Sequence, residues 1–395
     1  MKKRVLFYCQ SVLGIGHFIR SRELALALRD FEVCFVYGGD VVPGHELPSG
    51  IEMIQLPALI SDEAFRGLHA PDGESDPEQV KSRRTERLLA VFDRFRPDAL
   101  IIELFPFGRK QFSFELLPLL ERARTSRPRA KVVCSLRDIL VRKRDQDRYE
   151  ERVSEWMNRY FDLLLIHADP RWQRLEETFA SLGKIDCRIE YTGYVARRIE
   201  ISAAGDSEAA TSPPPLILAS LGGGRVGHEL IDAVLAAEPR LVSPHRLHIV
   251  SGPHAPESVY RRFERQAGLL PEVTLERHTP AFPALLHGAA LSISMAGYNT
   301  CMDLLSARVP ALVYPFMGAG NDEQERRARG LERRGLVRVL DAGRLDPASL
   351  AAEIERGLAS PRIAPRPSPR MNGAERSAQL LADLFDDRAG RTPPQ

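Results

Sequence analysis

The chain has 395 residues, of which 44% are hydrophobic and 27% charged, and these proportions are ordinary for a folded globular protein. Its 55 Lys and Arg against 53 Asp and Glu give no global electrostatic case for nucleic acid, so no nucleic-acid partner is expected. No apolar run approaches the roughly 18 residues of a membrane span, and residues 1–11 lack the pattern of a signal peptide. The five cysteines form no CxxC pair, so we expect buried thiols in a cytoplasmic protein, and neither disulfides nor zinc ligands.

Residues 1–200 alternate short apolar runs with amphipathic segments, a pattern typical of βα units with a parallel sheet. Strands are predicted at 4–9, 33–37, 51–56, 99–104, 131–135, 163–167 and 191–195. Helices are predicted at 18–29, 77–95 and 145–160. Because the chain exceeds the usual size of one hydrophobic core, we interpret 1–200 as the first of two domains.

Residues 201–215 are small, polar and proline-rich, which indicates a linker. The alternation then restarts, with strands predicted at 216–221, 247–251, 273–275, 290–295, 311–314 and 336–340. The fold class is therefore predicted as α/β, with a second Rossmann-like domain over 216–370 facing the first across a cleft. In the last segment, 371–395, a predicted helix over 374–385 is a candidate to pack back on the N-terminal domain.

The sequence of 294–324 predicts a strand end, a glycine turn, a helix, a strand and a polar loop. This order of elements is typical of a nucleotide pocket in an α/β domain. Asn299 or Thr300 is predicted to cap the helix, whose free N–H groups attract phosphate. Asp303, one turn into the helix, is placed to accept hydrogen bonds from ribose hydroxyls. An ordinary βαβ connection is the alternative. The candidate donor-binding residues here are Ser294, Ala296, Gly297, Tyr298, Asn299, Thr300, Asp303 and Gln324.

A second glycine cluster follows the first strand of the second half and precedes a helix predicted at 226–235. Consecutive glycines let backbone N–H groups crowd around an anion. The candidates are Ser220, Gly222, Gly223, Gly224 and Arg225. A solvated arginine at a helix start is an equally good interpretation of Arg225.

The first βα turn places Gly16 and His17 between a strand and a helix, and Gly16 is a further candidate donor-binding residue. A dinucleotide fingerprint requires a third glycine where Ile19 stands, so a nicotinamide site is disfavoured. His17 is a candidate general base at the carboxyl edge of the sheet, because an ordinary imidazole pKa lies near working pH. A histidine that only bonds backbone or a phosphate is the alternative.

Two further strand ends carry charged residues where the cleft is expected. Glu103 and Arg109 follow one buried strand, and Arg137 and Asp138 follow the next. These residues are candidates to bind an acceptor or to supply a base, although Arg137 and Asp138 can equally pair with each other or cap a helix. The arginine cluster at 326–334 is interpreted as a solvated helix face.

These motifs together resemble a known family. The early GxGH turn, the late S-x-A-G-Y-N-T-x-x-[DE]-L-L helix, the P-A-L-V-x-P strand and the D-x-Q loop are similar to GT-B glycosyltransferases of the MurG, family 28-like type. The stretches GIGHFIRSRELALAL, ELFPFGR and RDILVRKRD resemble more closely a MurG-related group of predicted glycosyltransferases with unassigned substrates.

The resemblance implies that the C-terminal half binds a nucleotide diphosphate sugar, the N-terminal half binds the acceptor, and no metal or other cofactor is needed. Asp303 falls at the family's ribose-binding glutamate, and Gln324 at a glutamine near the donor sugar. The loop 220–224 corresponds to the second glycine loop, and His17 to the histidine that ends the first. Asp303 is one methylene shorter, the loop 317–321 is longer, and the first loop lacks a glycine. These departures leave the donor base and sugar open.

The expected function is metal-independent, inverting transfer of a hexosyl or N-acetylhexosaminyl group, with UDP as the expected nucleotide, to an unknown acceptor hydroxyl. His17, Glu103 or Asp138 is expected to deprotonate that hydroxyl, with Arg109 and Arg137 binding the acceptor. A nucleotide-sugar hydrolase and a non-catalytic nucleotide-binding module are the alternatives. Phenylalanines at 105, 107, 112 and 114 near Arg109 hint at a lipid-facing patch, but peripheral membrane association is not favoured.

Overall fold

The computed structural model describes residues 2–12, 15–39, 46–60, 67–70, 75–197, 214–318, 322–341, 345–362 and 368–386. Most of the predicted linker, residues 201–213, lies outside these ranges.

The first half folds around one parallel sheet. Its strands are β1 (Arg4–Cys9), β2 (Glu32–Tyr37), β3 (Ile51–Gln55), β4 (Ala99–Glu103), β5 (Lys131–Arg137), β6 (Leu163–His167) and β7 (Arg188–Tyr191). They lie in the order β3-β2-β1-β4-β5-β6-β7. The helices are α1 (Gly16–Ala27), α2 (Pro77–Phe95), α3 (Ser113–Thr125) and α4 (Gln146–Tyr160), with short 3-10 helices at Lys110–Phe112, Leu175–Glu177 and Ala180–Lys184. Strands β1 and β4 to β6 are almost wholly buried, which explains their continuous apolar sequence.

The second half repeats this arrangement around a six-stranded parallel sheet. Its strands are β8 (Leu216–Ser220), β9 (Arg246–Val250), β10 (Val273–Glu276), β11 (Leu291–Met295), β12 (Ala311–Tyr314) and β13 (Arg338–Val339), in the order β10-β9-β8-β11-β12-β13. Its helices are α5 (His228–Ala237), α6 (Glu257–Ala267), α7 (Phe282–Gly288), α8 (Tyr298–Ala307), α9 (Glu323–Glu332) and α10 (Pro347–Leu358), with a 3-10 turn at Glu238–Arg240. The predicted α/β class with two Rossmann-like halves is confirmed.

The last helix, α11 (Gly373–Asp386), packs on the N-terminal half. Leu380 and Leu381 are fully buried in the same hydrophobic cluster as Phe18 of α1, and Phe385 lies against Phe31 with ring centroids 6.3 Å apart. Burying each leucine is worth roughly 2 kcal/mol. The chain therefore returns to its first domain after completing the second.

Several predicted boundaries differ from the structure by a few residues, and two of these differences have a clear cause in the backbone. Strand β7 ends at Tyr191 because Gly193 has φ +89° and Tyr194 N–H donates to Arg370 O at 2.7 Å, which turns the chain toward the C-terminal segment. Helix α5 begins at His228 because Gly227 has φ +82°, a left-handed conformation that a helix interior does not contain.

Candidate active site

The carboxyl-terminal edges of the two sheets face each other, because residues just beyond these strands are in contact across the cleft. Asn299 Nδ2, at the start of α8, donates to Gly16 O at 2.9 Å. Arg137 at the end of β5 pairs with Glu323 at the start of α9, 2.6 Å apart. In open α/β sheets this edge is where ligands bind.

His17 and Glu103 form the centre of the N-terminal side. His17 is the second residue of α1, and Glu103 ends β4, which pairs with β1. His17 Nδ1 lies 2.8 Å from Glu103 Oε1, with the imidazole 18% exposed and the carboxylate fully buried. Arg20, one turn further along α1, pairs with the same oxygen. The structure thus brings together two of the three predicted catalytic residues.

Burial and charge fix the protonation of this pair. Burial lowers the pKa of His17 to about 4, with Arg109 and Arg137 acting in the same direction and Glu103 against them. Burial acts to raise the pKa of Glu103, but His17, Arg20 and Arg109 outweigh it and hold that pKa at about 2. At neutral pH the ionised carboxylate only accepts, so Nδ1 of the neutral imidazole donates to it. His17 Nε2 therefore carries the free lone pair that a general base needs.

Arg109 and Arg137, the predicted acceptor-binding residues, lie near this pair. Arg109 is partly exposed, and burial together with the charge of Arg137 lowers its pKa, while Glu103 acts in the opposite direction. Arg137 bridges to Glu323 of the other domain. Both arginines are therefore close enough to His17 to lower its pKa.

Asp138 does not occupy the position expected of a base. Arg327 of α9 binds both of its oxygens, with Nη2 2.7 Å from Oδ1 and Nε 3.0 Å from Oδ2, and the residue is 1% exposed. With both oxygens engaged in a buried ion pair, Asp138 joins the domains and is not available to take a substrate proton. The same pair corrects the interpretation of 326–334 as a solvated face, because Arg327 is 4% exposed.

Tyr298 also has a different place from the one expected. Its ring lies between two guanidinium groups, 5.2 Å from Arg20 Cζ and 5.5 Å from Arg327 Cζ. Its hydroxyl donates to His167 O at 3.1 Å and accepts from Val195 N at 3.0 Å. Tyr298 is 6% exposed and anchors α8 in the N-terminal domain, so it is an interdomain contact and not a donor contact.

The glycine loop follows β8 and approaches α8. Gly222 is exposed with φ +63°, and a Cβ built on it would lie 3.9 Å from Thr300 Oγ1. Gly223 is partly exposed, and Gly224 has φ +83° and packs so closely on Ser251 that a Cβ would lie 2.5 Å from its carbonyl oxygen. Because α5 begins only at His228, the N–H groups of 222–224 belong to a loop and not to a helix start. Arg225 beside them is partly exposed.

Two serines close the strands beneath this loop. Ser220 and Ser294 are register partners at the ends of β8 and β11, 2% and 0% exposed. Within the described ranges, neither hydroxyl has a hydrogen-bond partner. Both serines are therefore buried at the carboxyl ends of their strands and are not exposed to a ligand in this structure.

The start of α8 lacks the predicted side-chain cap. Gly297 occupies the N-cap position and makes no side-chain hydrogen bond, and Ala296 before it is buried. The side-chain amide of Asn299 donates to Gly16 O and so does not cap the helix. Thr300 is partly exposed beside the glycine loop. The N–H groups of the first turn of α8 therefore receive no side-chain cap within the described residues, as at an anion-binding helix terminus.

The predicted ribose and sugar contacts are engaged with protein groups. Asp303 is 4% exposed and pairs with Arg197, whose Nε is 3.0 Å from Oδ2. Gln324 Oε1 accepts from Phe316 N at 3.1 Å. Sequence reasoning missed Arg197, Arg20 and Arg327. Only Arg20 had a local signal, because it lies three residues after His17 on the same helix face.

The predicted lipid-facing patch is not formed by its phenylalanines. Phe105, Phe107 and Phe112 are at most 2% exposed, and Phe114 is partly buried. Within the described ranges no helix is both long enough and apolar enough to cross a membrane. The same ranges hold no group of three or more His, Cys, Asp or Glu placed to bind a metal.

Comparison with protein families gives one match, in which residues 218–383 match the glycosyltransferase family 28 C-terminal domain. The second half of this chain is therefore similar to a family 28 C-terminal domain. Among solved structures, the calicheamicin glycosyltransferase CalG4 is similar over 100% of both chains, with TM-score 0.60 and 19% identity. MurG of Acinetobacter baumannii is similar over 96% of this chain and 99% of its own, with TM-score 0.58 and 15% identity. The whole chain therefore has the GT-B fold, as the resemblance implied.

Curated relatives that match parts of this chain share one enzyme name. The enzyme named UDP-N-acetylglucosamine–N-acetylmuramyl-(pentapeptide) pyrophosphoryl-undecaprenol N-acetylglucosamine transferase from Symbiobacterium thermophilum is 35% identical over 31% of this chain and 30% of its own length. Its namesake from Paramagnetospirillum magneticum is 27% identical over 55% of this chain and 62% of its own length. The matches thus span between about a third and two thirds of these relatives.

Proposed function

We propose that this GT-B protein is a metal-independent, inverting glycosyltransferase that moves a sugar from a nucleotide diphosphate sugar to an acceptor hydroxyl. The observation that carries the proposal is the His17–Glu103 pair, held in base form at the end of β4 and in contact, through Gly16, with the start of α8. The N-terminal domain contributes the base, and the family 28 domain contributes the donor site.

The donor is proposed to be UDP-linked, with an N-acetylhexosamine or hexose as the sugar. The relatives that match this chain are named for UDP-N-acetylglucosamine, which supports this choice. The diphosphate is proposed to lie between Gly222 and the first turn of α8, where backbone N–H groups are available to it. Asp303 would then accept from the ribose in exchange for part of its bond to Arg197.

The transfer step follows from the proton positions. His17 Nε2 removes the proton of the acceptor hydroxyl as the oxygen attacks the anomeric carbon, on the face opposite the diphosphate. The bond from that carbon to the diphosphate oxygen breaks, and the leaving group keeps the electron pair. Glu103 stabilises the imidazolium that forms. The N–H groups that bind the diphosphate stabilise it both in the bound donor and as it leaves, so most of their contribution appears in donor affinity.

A turnover assay with a panel of nucleotide sugars, with and without hydroxyl acceptors and with EDTA in parallel, tests this function. We expect one nucleotide to be preferred, the acceptor to divert the sugar from water, and the new glycosidic bond to have the opposite anomeric configuration by NMR. EDTA is expected to have no effect. Hydrolysis that no acceptor diverts, or nucleotide binding without turnover, contradicts the proposal.

A further inference from the structure

The cleft contains a cluster of buried and partly exposed charges with one more cation than anions. Four arginines meet three carboxylates, and three of the arginines have their own partner. The pairs are Arg20 with Glu103, Arg137 with Glu323, and Arg327 with Asp138. Arg109 is the fourth arginine. Because His17 is neutral at pH 7, these four arginines and three carboxylates of the described ranges together carry one uncompensated positive charge.

Arg109 has donors that nothing in the described part of the chain accepts. Its Nε and Nη2 atoms are buried without a hydrogen-bond partner, and so is Nε of the neighbouring Arg137. Glu103 Oε2 also accepts no bond there, although Glu103 is close enough to act on the pKa of Arg109. An arginine does not lose its proton in a protein, so the two buried nitrogens of this partly exposed guanidinium need an anion or other acceptors to offset their desolvation.

We propose that the acceptor carries an anionic group, a phosphate or a carboxylate, which binds to Arg109 with Arg137 beside it. The inference rests on the proposed function, because it assigns the class of acceptor used at that site. Arg137 ends strand β5 and Arg109 follows strand β4, so both lie in the N-terminal domain, opposite the glycine loop that is proposed to bind the donor. The planar fork of Arg109 matches the paired oxygens of either group.

The same contact positions the acceptor hydroxyl. Arg109 lowers the pKa of His17 and that of Glu103, so its charge lies within electrostatic range of the base. An anion bound to Arg109 thus holds the rest of the acceptor next to His17. It also offsets the charge that depresses the imidazole pKa, so occupancy is expected to raise the pKa of His17.

Binding of matched sugar probes tests the inference without turnover. Glucose 6-phosphate, glucuronate and glucose are titrated calorimetrically into the protein, with and without saturating UDP to fill the donor site. We expect at least tenfold tighter binding of one or both anionic probes than of glucose, and the two anionic arms show which group is preferred. NMR titration of His17 is expected to show a higher pKa when that probe is bound.

Variants separate a site from general electrostatic attraction. Arg109→Gln is expected to remove the preference for the anionic probe, and Arg109→Lys to retain part of it. Arg142→Gln, which removes an exposed charge from the loop after Asp138, is expected to leave probe binding unchanged. An unchanged melting temperature of Arg109→Gln shows that the loss is not unfolding.

The outcomes distinguish this inference from the proposed function. Equal binding of glucose and both anionic probes, or equal loss in Arg109→Gln and Arg142→Gln, overturns the anionic acceptor. Sugar transfer to neutral acceptors with an Arg109→Gln variant as active as the wild type also overturns it, while leaving the proposed function in place. Arg109-dependent anion binding without turnover of any nucleotide sugar contradicts the function and keeps the anion site.

Discussion

The two faces of the cleft differ in the chemical groups that they present. The N-terminal face consists of charged side chains around His17, held by ion pairs and largely desolvated. Apart from the ion pairs that Glu323 and Arg327 of α9 make with the other domain, the C-terminal face consists of glycines, buried serines and the uncapped start of α8. Side-chain charge can be tuned for one proton transfer, whereas backbone N–H groups recognise a diphosphate whatever base or sugar it carries. We therefore expect the first face to set the rate and the second to set donor affinity.

The largest effect is expected from removal of the base. His17→Ala should lower kcat by roughly a thousandfold, since a positioned general base contributes about 10² to 10⁴. Donor affinity, measured by calorimetry with a nucleotide sugar, should stay within about twofold of the wild type. Unchanged turnover in this variant would remove His17 from the mechanism. An equally large loss of donor affinity would contradict the expectation that the N-terminal face sets the rate and not donor binding.

Replacing the carboxylate behind the base comes next. Glu103→Gln keeps an acceptor near His17 Nδ1 but removes the charge that stabilises the imidazolium and pairs with Arg20. We expect kcat to fall by about a hundredfold. This is less than the roughly 10⁴-fold loss seen when the same change in a Ser-His-Asp triad puts the histidine in the wrong tautomer. Glu32→Gln, at the exposed first residue of β2, is the control and should leave kcat unchanged. A drop in stability with unchanged kcat would make Glu103 a purely structural partner.

The low pKa of His17 predicts that the acid limb of kcat/KM lies at lower pH than for an ordinary histidine. Because burial holds it at about 4, kcat/KM should stay level down to about pH 5 and fall tenfold per unit only below 4. The unfolded chain binds this proton with a pKa near 6.5, so this histidine also costs stability as pH falls from 6.5 to 4. An acid limb in kcat/KM near 6.5 would place His17 in solvent or assign the base elsewhere.

A change on the opposite face should act on the donor. Gly224→Ala puts a Cβ where φ is +83° and where the Ser251 carbonyl oxygen would lie 2.5 Å away, so the glycine loop must shift. We expect about a tenfold higher donor KM with kcat within about threefold, because a displaced loop loses one or two N–H contacts. Gly183→Ala, where a Cβ meets nothing within 4 Å, is the matched control. A fall in kcat alone would contradict the proposed division.

The smallest expected effect concerns the contact between the faces. Tyr298→Phe removes the hydroxyl that bonds Val195 N and His167 O, at a cost of about 1–3 kcal/mol. We expect the melting temperature to fall by roughly 5 °C, measured by calorimetry, with donor affinity unchanged. Tyr260→Phe, whose hydroxyl makes no hydrogen bond within the described residues, should melt like the wild type. A donor-affinity loss in Tyr298→Phe would return this residue to the donor site.

Elements with a local cause could be predicted from the sequence. Continuous apolar runs predict buried strands such as β1, β4 and β6. The Asp76 cap and the proline at position 77 predict the start of α2. His17 and Glu103 could be placed on the same sheet edge because both end parallel strands or follow them. The start of α5 was missed because the conformation of Gly227, and not its propensity, decides where that helix begins.

Contacts between the domains could not be predicted in this way. The partner of Asp138 lies 189 residues away on α9, and Tyr298 bonds atoms of two N-terminal segments. Such pairs depend on how two separately folded sheets meet, and no local pattern in the sequence carries that information. This is why the arginines of 326–334 read as a solvated face although Arg327 is buried.

The return of α11 to the first domain has a practical consequence for work on isolated parts. The family 28 match runs to residue 383 and so includes most of a helix whose apolar side belongs to the other half. A fragment cut at the limits of that match would present Leu380 and Leu381 to water and is expected to aggregate. A fragment ending near Arg362 avoids this exposure, and the N-terminal half needs α11 supplied to close its own core.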